Sequence, residues 1–262
     1  MPDLPSRLTE ADMTLRLRAD GCVFAEDEAR LLAGSGASND ALAKMLTQRL
    51  AGFPLEHLLG WVDFGGLRLG VGPGVFVPRQ RSVFLVTCAA ELTTTGATVL
   101  DLCCGCGALG AALAHLVEGI RLHASDISPT AVETARHNLL GRDAALYEGD
   151  LFDPLPASLK GTIETLLCNT PYVPSGRVRN LPAEARVHEP LTSLDGGWDG
   201  LDIQRRVAQE ACAWLAPGGY LLFEVGEDQE QDCGRLLEDE GFRSWSRSLD
   251  DIGATVVIGR AP

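Results

Sequence analysis

Positive charge is scarce in this chain: 22 Lys and Arg stand against 36 Asp and Glu, a formal net charge of -14 over 262 residues. An acidic surface keeps a protein soluble and repels phosphate backbones, whereas binders of nucleic acid normally carry a basic stripe. The chain has none: Arg177, Arg179 and Arg186 share their region with Glu184 and Glu189. A nucleic-acid substrate is thereby disfavoured. Long apolar runs are also missing, since no stretch approaches the roughly 18 residues of a membrane span. The opening Met-Pro-Asp-Leu-Pro-Ser-Arg lacks an apolar signal core. These absences predict no membrane span and a cytoplasmic location, where the eight cysteines stay reduced. Cys103, Cys104 and Cys106 raise a metal question, but a structural zinc site usually needs a second ligand pair. Cys22, Cys88, Cys168, Cys212 and Cys233 are scattered singly. The trio therefore reads as small side chains in a tight buried turn, and no metal is expected.

Low-complexity sequence is absent as well, and 45% hydrophobic content is enough for one large domain plus a small one. Residues 1–75 read as mostly helical: Leu31 and Leu32, then Leu42, Met45, Leu46 and Leu50, recur at three- and four-residue spacing. Gly34-Ser-Gly-Ala-Ser38 separates the two runs. From Trp61 the pattern shifts, and Val62, Phe64, Leu67, Leu69, Val71 and Val75 among five glycines suggest a β-hairpin linker near 61–77. Pro78-Arg79 opens the larger domain, 78–262, with a helix near 82–92.

From Thr98 onward strands alternate with helices. Strands are expected at 98–102, 121–126, 145–147, 165–168 and 220–225, and helices at 109–116, from Ser128-Pro129, and at 204–215. Two final strands at 242–248 and 255–258 lie too close together for a crossover helix and should pair antiparallel. Strand-helix alternation means a parallel sheet covered on both faces. The expected fold is α/β, Rossmann-like: a seven-stranded, mostly parallel sheet with an antiparallel C-terminal hairpin, the usual shape of class I methyltransferases, plus a small helical N-terminal domain.

Two motifs carry chemistry. Gly105-Cys-Gly-Ala-Leu-Gly110 matches G-x-G-x-x-G between a strand and a helix, where a backbone can approach a ligand at a helix N-terminus. Asp126 ends the next strand, about 20 positions on, where a carboxylate can accept from ribose hydroxyls. It can equally serve as a helix cap. Asp101 ends the first strand and could hold a cofactor ammonium, and Gly149-Asp150-Leu151 ends the third, where an adenine ring would lie. The second motif is Asn169-Thr170-Pro171-Tyr172, after the fourth strand and near the switch point of an open sheet. Its side-chain and backbone oxygens can accept from an NH2 group and aim a planar nitrogen at an electrophilic methyl, with Tyr172 stacking on the planar group.

Asn-Thr-Pro-Tyr is close to the Asn-Pro-Pro-Tyr of amino methyltransferases. Pro54-Leu-Glu-His-Leu-Leu-Gly60, Phe76-Val-Pro-Arg79 and Glu189-Pro-Leu-Thr-Ser-Leu-Asp-Gly-Gly-Trp-Asp-Gly-Leu201 narrow the match, and from about residue 40 onward the chain resembles the release-factor glutamine methyltransferases. The resemblance implies a helical substrate domain ahead of a catalytic domain that uses S-adenosylmethionine and leaves S-adenosylhomocysteine. It implies cofactor contacts from Gly105, Gly107, Asp126, Leu151 and Asn169; Asp101 and Asp150, at their strand ends, are expected to join them, and Cys103 and Ile127 are also expected in the cofactor site. Asn169 to Tyr172 should hold the substrate amide; by their own charge, Arg79 or Arg81 could pair with a free carboxylate of a substrate, and Glu189 with a guanidinium or ammonium. The sequence departs from the family at Thr170 (usually Pro), at Cys103 (usually Gly), at Gln80-Arg81-Ser82-Val83 (usually acidic) and at His188 (commonly aromatic). These departures leave substrates open: glutamine in a peptide-chain release factor first, free arginine or a similar metabolite second, and adenine in nucleic acid last.

Overall fold

The computed structural model describes residues 8–262; the opening seven residues, on which the reading of the N-terminus rests, lie outside them. Four helices come first: α1 (Glu10–Ala19), α2 (Ala25–Ala33), α3 (Asn39–Leu50) and α4 (Leu55–Leu59). Thr9 caps α1 in a reciprocal box with Asp12, and Ser38 caps α3 through the Ala41 amide. Each cap satisfies an amide that the helix itself cannot pair. Met13, Leu17, Leu32 and Leu46 close a small apolar core between these helices.

A hairpin follows, β1 (Trp61–Phe64) paired with β2 (Leu67–Gly70). Gly65 and Gly66 both take left-handed φ at its turn, as a two-residue turn matched to strand twist requires. Val62, Phe64 and Leu69 pack with the core of the larger unit rather than with the four helices. By packing, the helical unit therefore ends near Leu59.

The larger unit runs α5 (Val83–Leu92), β3 (Thr98–Leu102), α6 (Ala108–Leu116), β4 (Arg121–Asp126), α7 (Pro129–Asn138), β5 (Ala144–Glu148), β6 (Ile163–Cys168), α8 (Ala183–His188), α9 (Asp202–Trp214), β7 (Leu215–Val225), α10 (Glu230–Asp239), β8 (Arg243–Leu249) and β9 (Ala254–Arg260). Seven strands form one sheet in the order β5-β4-β3-β6-β7-β9-β8. All pairs are parallel except β7 with β9 and β8 with β9, the arrangement expected from the strand spacing. Alternation sorts the side chains to two faces: Val99, Leu122 and Leu222 meet α5, α6 and α7 on one, and Leu100, Leu166 and Phe223 meet α9 and α10 on the other. Helix α10 has no counterpart in the sequence reading, because only Cys233 and Leu237 of its acid-rich turns are buried. Helix α9 ends at Trp214, ahead of Pro217-Gly-Gly, which lies in the irregular first part of β7.

Strand order reverses between β3 and β6, which opens a crevice at their carboxyl ends. The helical unit is tied to one rim of it. Arg49 of α3 donates to both Glu28 oxygens at 2.6 and 2.8 Å, to the Phe53 carbonyl at 3.1 Å and to Glu184 of α8 at 2.9 Å. The two carboxylates hold the Arg49 guanidinium strongly in its charged form. The Phe53 and His188 rings meet at 4.0 Å. Removing the guanidinium leaves Glu28 little exposed and without its cation. Arg49→Met should cost about 1–3 kcal/mol of stability in thermal denaturation, while Arg18→Met, which breaks a solvent-exposed pair, should cost less than about 1 kcal/mol.

Candidate active site

The loop from β3 into α6 forms one wall. Cys103, Gly105 and Gly107 all take left-handed φ, at 59°, 55° and 76°. A residue with a Cβ adopts that conformation at a cost of roughly 1–2 kcal/mol, which explains why glycine is usual at the position of Cys103. Its side chain lines the cavity. A Cβ on Gly105 would meet nothing within 4 Å, whereas one on Gly107 would come 3.2 Å from the Ala135 Cβ of α7. Gly105 thus borders the cavity, and Gly107 permits close packing of the loop on α7.

Asp126 braces this loop. Its Oδ2 accepts from the Gly105 amide at 2.8 Å and its Oδ1 from the Ser128 amide at 2.9 Å. Burial raises its pKa, and those amides pull it back. The cap of α7 is Ser128, whose Oγ accepts from the Ala131 amide. Asp126 therefore supports the turn before the helix and still presents its carboxylate to the cavity, next to the exposed Ile127.

The opposite wall is Asn169-Thr170-Pro171-Tyr172, directly after β6. The Asn169 Nδ2 donates to Ser82 Oγ at 3.3 Å, and its Oδ1 takes no bond from the described residues. Thr170 borders the cavity but is buried, and its Oγ1 has no partner among the described residues. The Tyr172 Oη donates to Glu224 Oε1 at 3.2 Å and accepts from Arg81 Nη2 at 2.5 Å. Burial and the Glu224 carboxylate push the phenol up to about 12.

The long glycine-rich segment from Glu189 to Leu201 buttresses this loop from behind. The Val173 amide donates to the Leu194 carbonyl at 3.1 Å and the Gly196 amide to the Val173 carbonyl at 2.9 Å. A Cβ on Gly196 would lie 2.6 Å from the Pro171 carbonyl oxygen, and one on Gly200 would lie 2.2 Å from that of Tyr172. Only glycine allows the two backbones to approach this closely. Gln229 closes the joint by donating to the Tyr172 and Asp199 carbonyls at 2.9 Å each.

Between these walls lies a cavity of about 420 Å³, bordered also by Phe64, Val75, Phe76 and Arg79. That is within the range of small-molecule sites. It unites Cys103, Gly105, Asp126, Ile127, Asn169, Thr170, Pro171, Tyr172 and Arg79 of the residues anticipated from sequence. Five others stand off the wall. Gly107 packs on α7. Asp101 is fully buried, with Oδ2 accepting from the Gly110 amide at 2.8 Å and Oδ1 without a partner among the described residues. Asp150 pairs with Arg206 of α9 at 2.6 Å. Leu151, at φ 46°, is buried in the core beneath α9. Glu189 is buried and accepts from Arg79 Nη2 at 2.6 Å, so it reaches the cavity only through Arg79. Ser82, Glu224 and Gln229 escaped the sequence reading. The one available signal was a carboxylate interrupting the apolar run of β7.

This sheet order, with a carboxylate-braced glycine loop facing an Asn-x-Pro-Tyr loop across the switch point, defines a class I methyltransferase. Solved structures of low sequence identity share the fold. A methyltransferase from Pyrococcus furiosus superposes with a TM-score of 0.57 at 17% identity, covering 74% of this chain and 89% of that one. A T. thermophilus 16S rRNA N2 G1207 methyltransferase in complex with AdoMet and guanosine gives 0.55 at 19%, covering 77% and 50%. The family model for the methyltransferase small domain matches residues 72–197. Among curated proteins, a release factor glutamine methyltransferase of Gloeobacter violaceus is 36% identical over 82% of this chain and 77% of its own length. One of Moorella thermoacetica is 38% identical over 79% and 74%. The chain belongs to the release factor glutamine methyltransferase family.

Asp101 yields a pH-dependent prediction. Burial raises its carboxyl from 3.8 to about 8. The unfolded chain releases this proton well before the folded chain does, so the contribution is full below pH 4 and declines as pH rises toward 8. Denaturant titration of the ligand-free protein should show Asp101→Asn, which keeps an acceptor for the Gly110 amide, becoming progressively more stable relative to wild type across that window.

Proposed function

We propose that the protein transfers the methyl group of S-adenosylmethionine to the side-chain amide nitrogen of a glutamine in a peptide-chain release factor, leaving S-adenosylhomocysteine. The observation that carries this reading is the Asn169 side chain, held by Ser82 with its Oδ1 unpaired, beside Tyr172 and across one cavity from Asp126. The residues present suit the cofactor: Asp126 retains lone pairs for ribose hydroxyls after accepting its two amides, and the open space over Gly105 admits a ligand close to the backbone. When bound, the cofactor supplies an electrophilic methyl on a sulfonium sulfur.

The protein's task is orientation. An amide nitrogen is a poor nucleophile because its lone pair is shared with the carbonyl. Asn169 Oδ1 and the Thr170 backbone carbonyl are suited to accept from the substrate NH2, which directs the nitrogen and stabilises the positive charge that develops on it. The Tyr172 ring offers a face to a planar group. A guanidinium fits this wall less well than an amide: Arg79 and Arg81 are cations on the cavity, and Glu184, Glu189 and Glu224 already pair with Arg49, Arg79 and Arg81. In this reading the four N-terminal helices, anchored by Arg49 and by Phe53 on His188, receive the protein substrate at the rim.

Incubation with labelled cofactor, a release factor and free arginine tests the reading by mass spectrometry. One methyl group on a glutamine of the factor is expected; methylated free arginine with an unmodified factor refutes it. Asn169→Ala should lower kcat on the order of a hundredfold, as loss of a polar transition-state contact does, while the protein melts as wild type. Asp126→Ala should weaken cofactor binding in titration calorimetry by about 1.5–3 kcal/mol, the range for hydrogen bonds to a charged group. Unchanged affinity would leave Asp126 only a brace for its loop.

A further inference from the structure

The short turn between Arg79 and Val83 holds three separate parts of the site. Arg79 donates to Glu189, Arg81 to Glu224 and Tyr172, and Ser82 receives the Asn169 amide. The middle contact is a closed triangle. Arg81 Nε donates to Glu224 Oε1 at 3.1 Å, Arg81 Nη2 donates to Tyr172 Oη at 2.5 Å, and Tyr172 Oη lies 3.2 Å from that same Glu224 oxygen. An arginine can only donate, which fixes the polarity: the phenol oxygen accepts from Arg81, and its proton goes to Glu224. Glu224 is buried on β7, next to the strand that ends in the catalytic loop, and its other oxygen has no partner among the described residues. Such a carboxylate is costly to bury unless it serves a contact, and its one cationic partner in the described structure is Arg81.

Resting on the function proposed above, we infer that Arg81 and Glu224 are positioning residues for methyl transfer: they bind the Tyr172 hydroxyl at the back of the pocket and so present its ring face to the substrate amide. The phenol oxygen is committed to this triangle. It is therefore the ring, not the hydroxyl, that meets the planar group, and the triangle sets its angle beside Asn169. Arg81 supplies the cation that faces the buried Glu224 carboxylate. Among the described residues no hydrogen bond links Arg81, Tyr172 or Glu224 to Asp126 or the glycine loop, so the expected effect is on turnover and not on cofactor affinity.

Single and double variants test this with the release factor as substrate. Tyr172→Phe and Glu224→Gln should each lower kcat on the order of tenfold, the scale of one hydrogen bond to a charged group. Cofactor affinity by calorimetry should stay at the wild-type value. If both act through one contact, the double variant should lose no more than the larger single loss. Arg81→Lys, which keeps a cation opposite Glu224, should retain more turnover than Arg81→Met. Wild-type kcat in Tyr172→Phe, or single losses that multiply in the double variant, overturns the positioning role. A parallel loss of cofactor affinity in Glu224→Gln also overturns it, because it marks general damage to the fold. A wild-type enzyme that leaves glutamine unmethylated defeats the functional reading itself, and this inference with it.

Discussion

Strands β3 and β6 pair in parallel with Leu102 opposite Cys168, and the site depends on that register. The next residue on one strand is Cys103, the start of the glycine loop; the next on the other is Asn169. The two loops that border the cavity thus leave the sheet side by side, from strands whose onward connections go in opposite directions. A slip of one residue would turn Asp101 from one face to the other and would exchange core side chains between the two clusters. The apolar cost of such a slip is what holds the loops in place.

Around this register the protein uses backbone proximity more than side-chain chemistry to make the pocket stiff. Gly196 and Gly200 let a second segment lie against Pro171 and Tyr172, and hydrogen bonds from Gly196, Val173 and Gln229 close the joint. On the glycine-loop side one carboxylate, Asp126, collects two loop amides. Preorganised groups of this kind need not rearrange when charge develops on a substrate. The charged pairs Arg79–Glu189 and Arg81–Glu224 then set the side chains that border the cavity.

Strand-helix alternation, the short link before the last strand and the motifs at 105–110, 126 and 169–172 were legible in the sequence, because each rests on local patterning. Period-two and period-3.6 burial, glycine at tight turns and Ser-Pro at a helix start act over a few residues, and the fold class and the loops that line the pocket follow from them. What only tertiary structure decided is which residues near those motifs face the cavity. Asp101 and Glu189 were expected at the site yet are buried, while Ser82 and Glu224, given no role there by the sequence, hold Asn169 and Tyr172. These contacts join residues 87 and 52 positions apart in the chain. Their partners are set by strand register and by packing of the turn at Arg79 over the carboxyl ends of the central strands β6 and β7, and no local pattern encodes either.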